Sequence, residues 1–386
     1  MQTVAFLTPE YPRAGLGYTG GIGTSIKNLA DYYINHQIRV IIFVYGSDKD
    51  LVEEKEGKTF VFIKQVRRMG LGWWVNRQHI QKVVNTWVEK EKIKMIEIPD
   101  WTGISAFIRF DCLMVLKLHG SDTYFCHLDG RKVKLKNFWF EKSAFKNADH
   151  VVAVSDFVGK KSCELFGVTR PYEVIHNGID LDKFEASNPD SGNSENPVIL
   201  YFGSLIRKKG VLEIPEIVNR VSEEIPNVRL ILAGNDASDI LTGSPSTWNL
   251  MKLKFSPALY PNVNYLGLVK FEEIATLIDQ ADVCIFPSFA EAFPVSWLEA
   301  MAMGKAIVTS DIGWSREVIL TEDAGLTAHP TDHEDFAKKI ISILKNSSVK
   351  KRLQIGARSC VKENFQIDNI GAQHIKLLNS KKQSRP

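Results

Sequence analysis

Pro287-Ser288-Phe289-Ala290-Glu291-Ala292-Phe293-Pro294-Val295-Ser296-Trp297-Leu298-Glu299-Ala300-Met301-Ala302-Met303-Gly304 follows an apolar run that ends near Phe286. The order reads as strand, loop, helix. Pro294 suits the first turn of a helix, where its missing N–H costs nothing, and Gly304 suits the position just past a helix end. Glu291 then lies in the loop and Glu299 inside the helix. The free N–H groups of Val295 and Ser296 point out of the helix start, an anion site apt for a diphosphate. Two glutamates are by default surface acids. Glu299, however, is flanked by Trp297, Leu298 and Met301, and an acid in an apolar helix needs a partner. Sugar hydroxyls are good ones.

Outward from this stretch, short β-branched runs alternate with helical patterns. Val4 to Leu7, Val40 to Tyr45, Lys94 to Ile98, Val115 to Leu118, His150 to Val154 and Glu173 to Ile175 read as strands. Most are apolar on both faces, as buried parallel strands are. The helical pattern Ser25 to Ile34 follows the first of them, which is the βαβ signature of a doubly wound sheet. Asn188 to Pro197 is polar and turn-rich, the best linker in the chain. The pattern then restarts with strands at Val198 to Phe202, Val228 to Ala233, Val263 to Leu266, Val283 to Phe286 and Ala306 to Thr309, with helical patterns such as Glu272 to Gln280 between them. The expectation is two Rossmann-like α/β domains facing a central cleft. They cover residues 1–190, with the tail 370–386 packing back on the first, and 191–369. Ligands bind at interdomain clefts and at the carboxyl ends of parallel strands.

Composition narrows the class. The chain has 386 residues, 44% hydrophobic and 24% charged, as in a globular enzyme. A net charge of +3 argues against a nucleic-acid partner. Apolar runs fall far short of the roughly 20 residues a membrane span needs, and no targeting segment is visible, so a cytoplasmic protein is expected. Cys112, Cys126, Cys163, Cys284 and Cys360 have no paired spacing and read as reduced core thiols.

Three further motifs bear on chemistry. Tyr201-Phe202-Gly203-Ser204-Leu205-Ile206-Arg207-Lys208-Lys209-Gly210 puts three cations at the carboxyl end of a strand, where they can neutralise a diphosphate. A solvated basic loop is the commoner use of such a run. Gly20-Gly21-Ile22-Gly23 opens a helix, and its glycines let backbone amides approach a phosphate or sugar closely. Gly15, Gly17 and Gly20 formally match a dinucleotide fingerprint. The match is discounted, because the first glycine comes well after the strand end and no acid follows at the required distance. His119-Gly120 ends the strand Val115 to Leu118. A lone histidine is more often structural, but a strand's carboxyl end favours function. No second histidine or cysteine stands at close ligand spacing to it, so no metal is expected.

The cassette Glu291-x7-Glu299, embedded in Glu-Ala-Phe-Pro and Leu-Glu-Ala-Met-Ala, is similar to the donor-site motif of the family-4 retaining glycosyltransferases with the GT-B fold (glycosyl transferases group 1). The resemblance spans Thr3 to about Phe365, strong in the second domain and loose in the first. It implies that Glu291 holds hydroxyls of the donor sugar, Glu299 the ribose, and Phe293, Pro294, Val295 and Ser296 the donor through their amides. Lys209 takes the family's phosphate-loop lysine position. The family arginine is Ser204 here, and Arg207 is the substitute cation. Gly21 and Gly23 fit the loop that reaches the donor phosphates, and His119 the histidine that faces donor sugar and acceptor. Val154-Ser155 and Asn177-Gly178-Ile179-Asp180 resemble the end of the family's first domain. Gly234, with Gly267 and Val269, resembles the nucleotide-base pocket. Trp314-Ser315-Arg316 replaces the small residues usual before Glu317.

The resemblance further implies a metal-independent, retaining transfer from a nucleotide diphosphate sugar, UDP-linked by default, to a glycan or lipid-linked acceptor in cell-surface polysaccharide or glycoconjugate synthesis. No cofactor is implied. Catalysis is expected from His119, Glu291 and Lys209. The alternative is a catalytically inactive GT-B binding or scaffold protein. A nicotinamide oxidoreductase and a GT-B epimerase or phosphorylase rank lower. Finally, Arg67-Arg68-Met69-Gly70-Leu71-Gly72-Trp73-Trp74 and Arg131-Lys132-Val133-Lys134-Leu135-Lys136 before Phe138-Trp139-Phe140 mix cations with aromatics. Such mixtures suit the anionic inner face of a membrane; core aromatics beside solvated lysines are the other reading.

Overall fold

The computed structural model describes residues 2–12, 20–184 and 195–380. Gly15, Gly17, the end from Lys381 to Pro386 and most of the turn-rich stretch from Asn188 lie outside them. The chain divides into two compact units: Met1–Gly178 with Ile367–Pro386, and Ile179–Gln366.

Unit 1 contains, in chain order, β1 (Thr3–Thr8), α1 (Gly21–Asn35), β2 (Arg39–Ser47), β3 (Leu51–Lys55), β4 (Lys58–Lys64), α2 (Gly72–Glu91), β5 (Ile93–Pro99), β6 (Leu113–Leu118), α3 (Asp122–Leu128), α4 (Leu135–Asn147), β7 (His150–Ala153), α5 (Asp156–Phe166) and β8 (Glu173–Val174). The sheet order is β3-β4-β2-β1-β5-β6-β7-β8. Every pairing is parallel except β3 with β4. All six residues of β1 and all six of β6 are buried, as they must be in a sheet covered on both faces. The β3–β4 hairpin has no counterpart among the expected strands. Its turn, Glu56-Gly57, takes positive φ at both residues, 52° and 71°. That is the primed turn whose twist suits a hairpin, built here without the usual Asn or Asp signal.

Unit 2 contains β9 (Val198–Phe202), α6 (Ile214–Glu224), β10 (Arg229–Ala233), α7 (Thr247–Lys252), β11 (Val263–Tyr265), α8 (Phe271–Gln280), β12 (Val283–Phe286), α9 (Val295–Ala302), β13 (Ala306–Ser310), β14 (Leu326–Ala328), α10 (His333–Lys345) and α11 (Ser347–Asn364). Its sheet runs β11-β10-β9-β12-β13-β14, parallel throughout. At the core under α9, Trp297 lies 6.0 Å from Phe286 and 5.2 Å from Trp314, ring centre to ring centre. Both tryptophans are fully buried. Trp314 therefore fills space beneath the helix, and removing either ring would cost about 3–5 kcal/mol.

The chain returns to unit 1 as α12 (Ile367–Leu377), which packs on α1. Gly371 permits this: a Cβ there would sit 2.2 Å from the Tyr32 ring. Entry to and exit from unit 2 lie side by side, since Ile179 bridges Gln366 and donates its N–H to the Phe365 carbonyl at 2.9 Å.

Both sheets share one topological feature. The chain lays strands outward from β1 (or β9), then resumes on its other side with β5 (or β12). Loops leaving two such neighbours turn to opposite faces, and the crevice between them is the standard ligand position in open α/β sheets.

Candidate functional site

In unit 2 the reversal falls between β9 and β12, so the loops 203–210 and 287–294 leave adjacent strands. They are locked together. Gly210 has φ +66°, and a Cβ on it would sit 1.7 Å from the Pro287 carbonyl oxygen. The Lys208 carbonyl accepts the N–H groups of Phe289 and Ala290 at 2.8 and 3.1 Å. Arg207–Lys209 forms one 3-10 turn. This turn brings Lys209 Nζ to 2.9 Å from Glu291 Oε1. Ser288 Oγ donates to the same carboxylate oxygen at 3.4 Å.

Pro294 is the N-cap of α9, one residue before the first turn, and its φ of −72° feeds the chain into the helix. Val295 and Ser296 come first in α9, so their N–H groups have no carbonyl a turn behind them. Phe293 is buried edge-on against Phe365, ring centres 5.3 Å apart. Gly304, with φ +62°, follows the helix end. Glu299 is buried in α9, and burial pushes its carboxyl up to about 8, against the pull of the Lys209 charge. One lysine thus faces an ionic partner, Glu291, and lies within electrostatic reach of an acid held neutral by its surroundings.

Arg207 is placed differently. Its Nε and terminal nitrogen reach the two carboxylate oxygens of Asp239, each at 2.7 Å. Thr242 adds an N–H and a hydroxyl to the same carboxylate. The Arg207 hydrogen bonds hold the Asp239 carboxyl well below the usual range. The Arg207 charge is therefore already compensated within the unit.

Gly203, Gly234 and Gly267 end β9, β10 and β11 in register. Gly203 N–H bonds the Ala233 carbonyl and Gly234 N–H the Gly267 carbonyl, both at 2.8 Å. A Cβ at Gly234 would meet the Gly203 carbonyl oxygen at 1.9 Å. Gly267 has φ +69° and nothing within 4 Å of a Cβ position, and Val269, half-buried, follows it. Together these give an open floor of backbone at the edge of the sheet.

In unit 1 the reversal falls between β1 and β5. The loop after β1 returns to α1, where Glu10 Oε1 accepts the N–H groups of Gly20 and Gly23 at 3.1 and 3.0 Å. A carboxylate of the chain itself thus occupies the amides at the start of α1, while Gly21 borders open space. After β5 comes Asp100, which is buried. Asp100 Oδ1 accepts the His119 N–H at 2.9 Å. Burial pushes the Asp100 carboxyl up to about 8, partly offset by the His119 hydrogen bond. His119 itself is buried, and its ring is kept neutral first by burial and then by the Lys117 charge. Beneath it, Lys117, Glu97 and His374 of α12 form a buried cluster. Lys117 Nζ is 3.8 Å from Glu97 Oε1 and 3.5 Å from His374 Nε2.

Gly21, Gly23 and His119 thus belong to unit 1, and Arg207, Lys209, Gly267, Val269, Glu291, Phe293–Ser296 and Glu299 to unit 2. Asp100, Glu10 and Asp239 escaped the sequence reading. Asp100 could have been found by the logic that picked His119, a polar residue at a buried strand's carboxyl end. Asp239 stands in an unremarkable loop and gave no signal. Among the described residues no three His, Cys, Asp or Glu side chains come together in a way that could hold a metal ion. No helix among them is long and apolar enough to cross a membrane.

Two family models divide the chain. One described as Glycosyltransferase Family 4 matches residues 19–183, and one described as Glycosyl transferases group 1 matches residues 182–359. An uncharacterised glycosyltransferase of Methanocaldococcus jannaschii is 23% identical over 96% of both chains. Sucrose-phosphate synthase from Thermosynechococcus elongatus superposes with a TM-score of 0.77 at 21% identity, over 98% of both chains. Anabaena HepE in complex with UDP-glucose also gives 0.77, at 19% identity, over 99% of this chain and 100% of its own.

Proposed function

Since the chain belongs to the family-4 glycosyltransferases with the GT-B fold and is a glycosyltransferase, we propose that it moves a sugar from a nucleotide diphosphate sugar to a glycan or lipid-linked acceptor with retention of anomeric configuration. UDP is the carrier we favour, because HepE, whose fold this chain shares, is seen with UDP-glucose. The observation that carries the reading is the Lys209–Glu291 pair, 2.9 Å apart at the strand-order reversal of unit 2.

In this reading the diphosphate lies over the start of α9 and beside Lys209. As the bond from the anomeric carbon to the phosphate oxygen breaks, negative charge grows on the leaving group. Lys209 and the amides of Val295 and Ser296 stabilise that charge without a metal ion. Glu291 holds donor hydroxyls and the oxocarbenium-like sugar and is not an attacking group. The acceptor hydroxyl bonds the anomeric carbon from the face the phosphate leaves, and its proton passes to the departing phosphate oxygen. Glu299, protonated near neutrality, can donate as well as accept toward the ribose hydroxyls. His119, neutral, offers a hydrogen bond to a sugar hydroxyl. Arg207, bound to Asp239, shapes the phosphate loop, and the cationic role rests on Lys209.

Ser204 in place of the family arginine, with Arg207 already paired, favours a second reading: a nucleotide-sugar binder without turnover. Panels of UDP-, GDP- and ADP-sugars scored by thermal shift identify the donor, because a ligand of the folded state raises the melting temperature. Glu291→Ala, Lys209→Ala and His119→Ala are then assayed with that donor. Transfer at wild-type rate in all three variants rejects the site, and donor binding with no transfer or hydrolysis by the wild type selects the second reading.

A further inference from the structure

The two stretches that mix cations with aromatics, some sixty residues apart in sequence, are brought together in unit 1. Trp73 at the start of α2 lies 4.8 Å from Phe140 of α4, and Phe107 lies 5.8 Å from both rings. The Arg77 guanidinium covers Phe140 at 4.3 Å and donates to the Gly103 carbonyl at 2.9 Å, which closes the hub from within.

Around this hub the apolar side chains point to solvent. Met69 is 98% exposed, Leu135 75%, Leu71 62% and Trp139 60%, with Trp74 and Phe107 also exposed. Phe107 holds its place at φ +62°. That conformation is strained for a bulky side chain, and it persists because the surrounding rings of Trp73 and Phe140 hold it. Single exposed apolar residues are ordinary, but a cluster of large ones marks an interaction surface.

Between their flanking acids the two stretches carry charge of one sign. No Asp or Glu occurs between Glu56 and Glu89, nor between Asp129 and Glu141, in a chain whose net charge is only +3. Arg67, Arg68, Lys132, Lys134 and Lys136 are exposed. Arg131 is committed to Asp129 at 2.8 Å, whereas Arg67, Arg68, Lys132 and Lys134 have no carboxylate partner among the described residues. Lys136 and Lys142 lie over the rings of Phe140 and Phe138, at 5.6 and 5.7 Å, cations and aromatics sharing one face.

We propose that this face of unit 1, formed by the start of α2, the loop bearing Phe107 and the first turns of α4, docks on an anionic lipid bilayer. The aromatic and aliphatic side chains enter the headgroup region, and the surrounding cations meet lipid phosphates. Interfacial binding of this sort needs both contributions, and neither alone holds a protein on a membrane. The inference stands on surface chemistry and is independent of the glycosyl-transfer reading.

The test is flotation of the full chain with vesicles of equimolar phosphatidylcholine and phosphatidylglycerol, with vesicles of phosphatidylcholine alone, and with soluble glycerophosphate as competitor. Partition into the anionic vesicles, weak partition into the neutral ones, release by salt and indifference to glycerophosphate are expected. Reversing Lys132, Lys134 and Lys136 to Glu should lower partition by roughly 100-fold or more. Replacing Trp74 and Trp139 by Ser should lower it by about 10-fold with an unchanged melting temperature. Equal partition into both vesicle types, or none, overturns the proposal. So does full binding by the variant lacking Trp74 and Trp139, which would make the face an adsorber of any polyanion.

Discussion

The two units solve one topological problem with opposite electrostatics. Each has a parallel sheet whose strand order reverses once, and each places polar side chains at the reversal. In unit 2 those side chains are charged and paired: Lys209 with Glu291, Arg207 with Asp239. In unit 1, apart from the Glu10 carboxylate at the start of α1, the pair that follows β5 and β6 is held neutral. The His119 ring is deprotonated, and Asp100, pushed up to about 8, is protonated near pH 7. The difference fits a division of labour. A departing diphosphate needs fixed charge and oriented amides, whereas a neutral hydroxyl needs neutral donors and acceptors, whose burial costs less than that of an ion.

This contrast can be broken, most forcefully at Lys209. Lys209→Ala removes the one cation assigned to the leaving group, and kcat should fall by about 10²–10³. A loss under tenfold in steady-state transfer would return the phosphate role to Arg207. His119→Ala comes next. Loss of a neutral hydrogen bond to the sugar should reduce kcat/KM by roughly 10–100-fold. It should leave the dissociation constant for free UDP unchanged, and a weakened UDP affinity by calorimetry would contradict that assignment.

Glu291 and Glu299 sharpen the comparison, because unit 2 holds one acid of each kind. Glu291→Gln removes the ionic partner of Lys209 and should weaken donor binding by about tenfold, as loss of a charge-assisted hydrogen bond does. Glu299→Gln replaces an acid that is already neutral near pH 7, and donor affinity should change by less than about threefold. Equal losses at pH 7 would mean that Glu299 acts as an anion.

The smallest effect expected is on stability. Asp100 titrates near 4 when unfolded and near 8 in the fold. Its contribution is whole below pH 4 and is lost progressively as pH rises to 8, because the folded state keeps a proton that the unfolded chain gives up. Asp100→Asn should flatten that part of the profile and raise the melting temperature at pH 8, relative to wild type, by several degrees. An unchanged slope of melting temperature against pH would place the Asp100 carboxyl in the ordinary range.

The units also differ in how far the sequence reveals them. The reversal in unit 2 is written in two local motifs, since a glycine-bounded basic turn and a proline-started helix each carry their chemistry within about twenty residues. Lys209, Glu291, Glu299 and the positions of β9 to β13 were readable for that reason. The candidate site in unit 1 is assembled from single residues on separate strands. His119 was legible beside its glycine. Asp100, 19 positions earlier, becomes its partner only because β5 and β6 are neighbours, and His374 joins Lys117 from 257 positions away. The β3–β4 hairpin was missed because its turn uses Glu56 where pattern rules look for Asn or Asp. Arg207 shows the complementary limit: its charge is visible in the sequence, but the acid that spends it, 32 positions on, is not.

Because unit 2 is inserted between Gly178 and Ile367, the ribosome completes the two bodies in reverse order. Unit 2 has every residue it needs while α12, the piece that closes unit 1 over α1, is still unmade. Residues 1–178 therefore wait for about 200 further residues, roughly 10–40 s of elongation. Throughout that interval the Tyr32 face of α1 lacks the helix that covers it. The nascent chain is most vulnerable in its oldest half, where a chaperone would be expected to act.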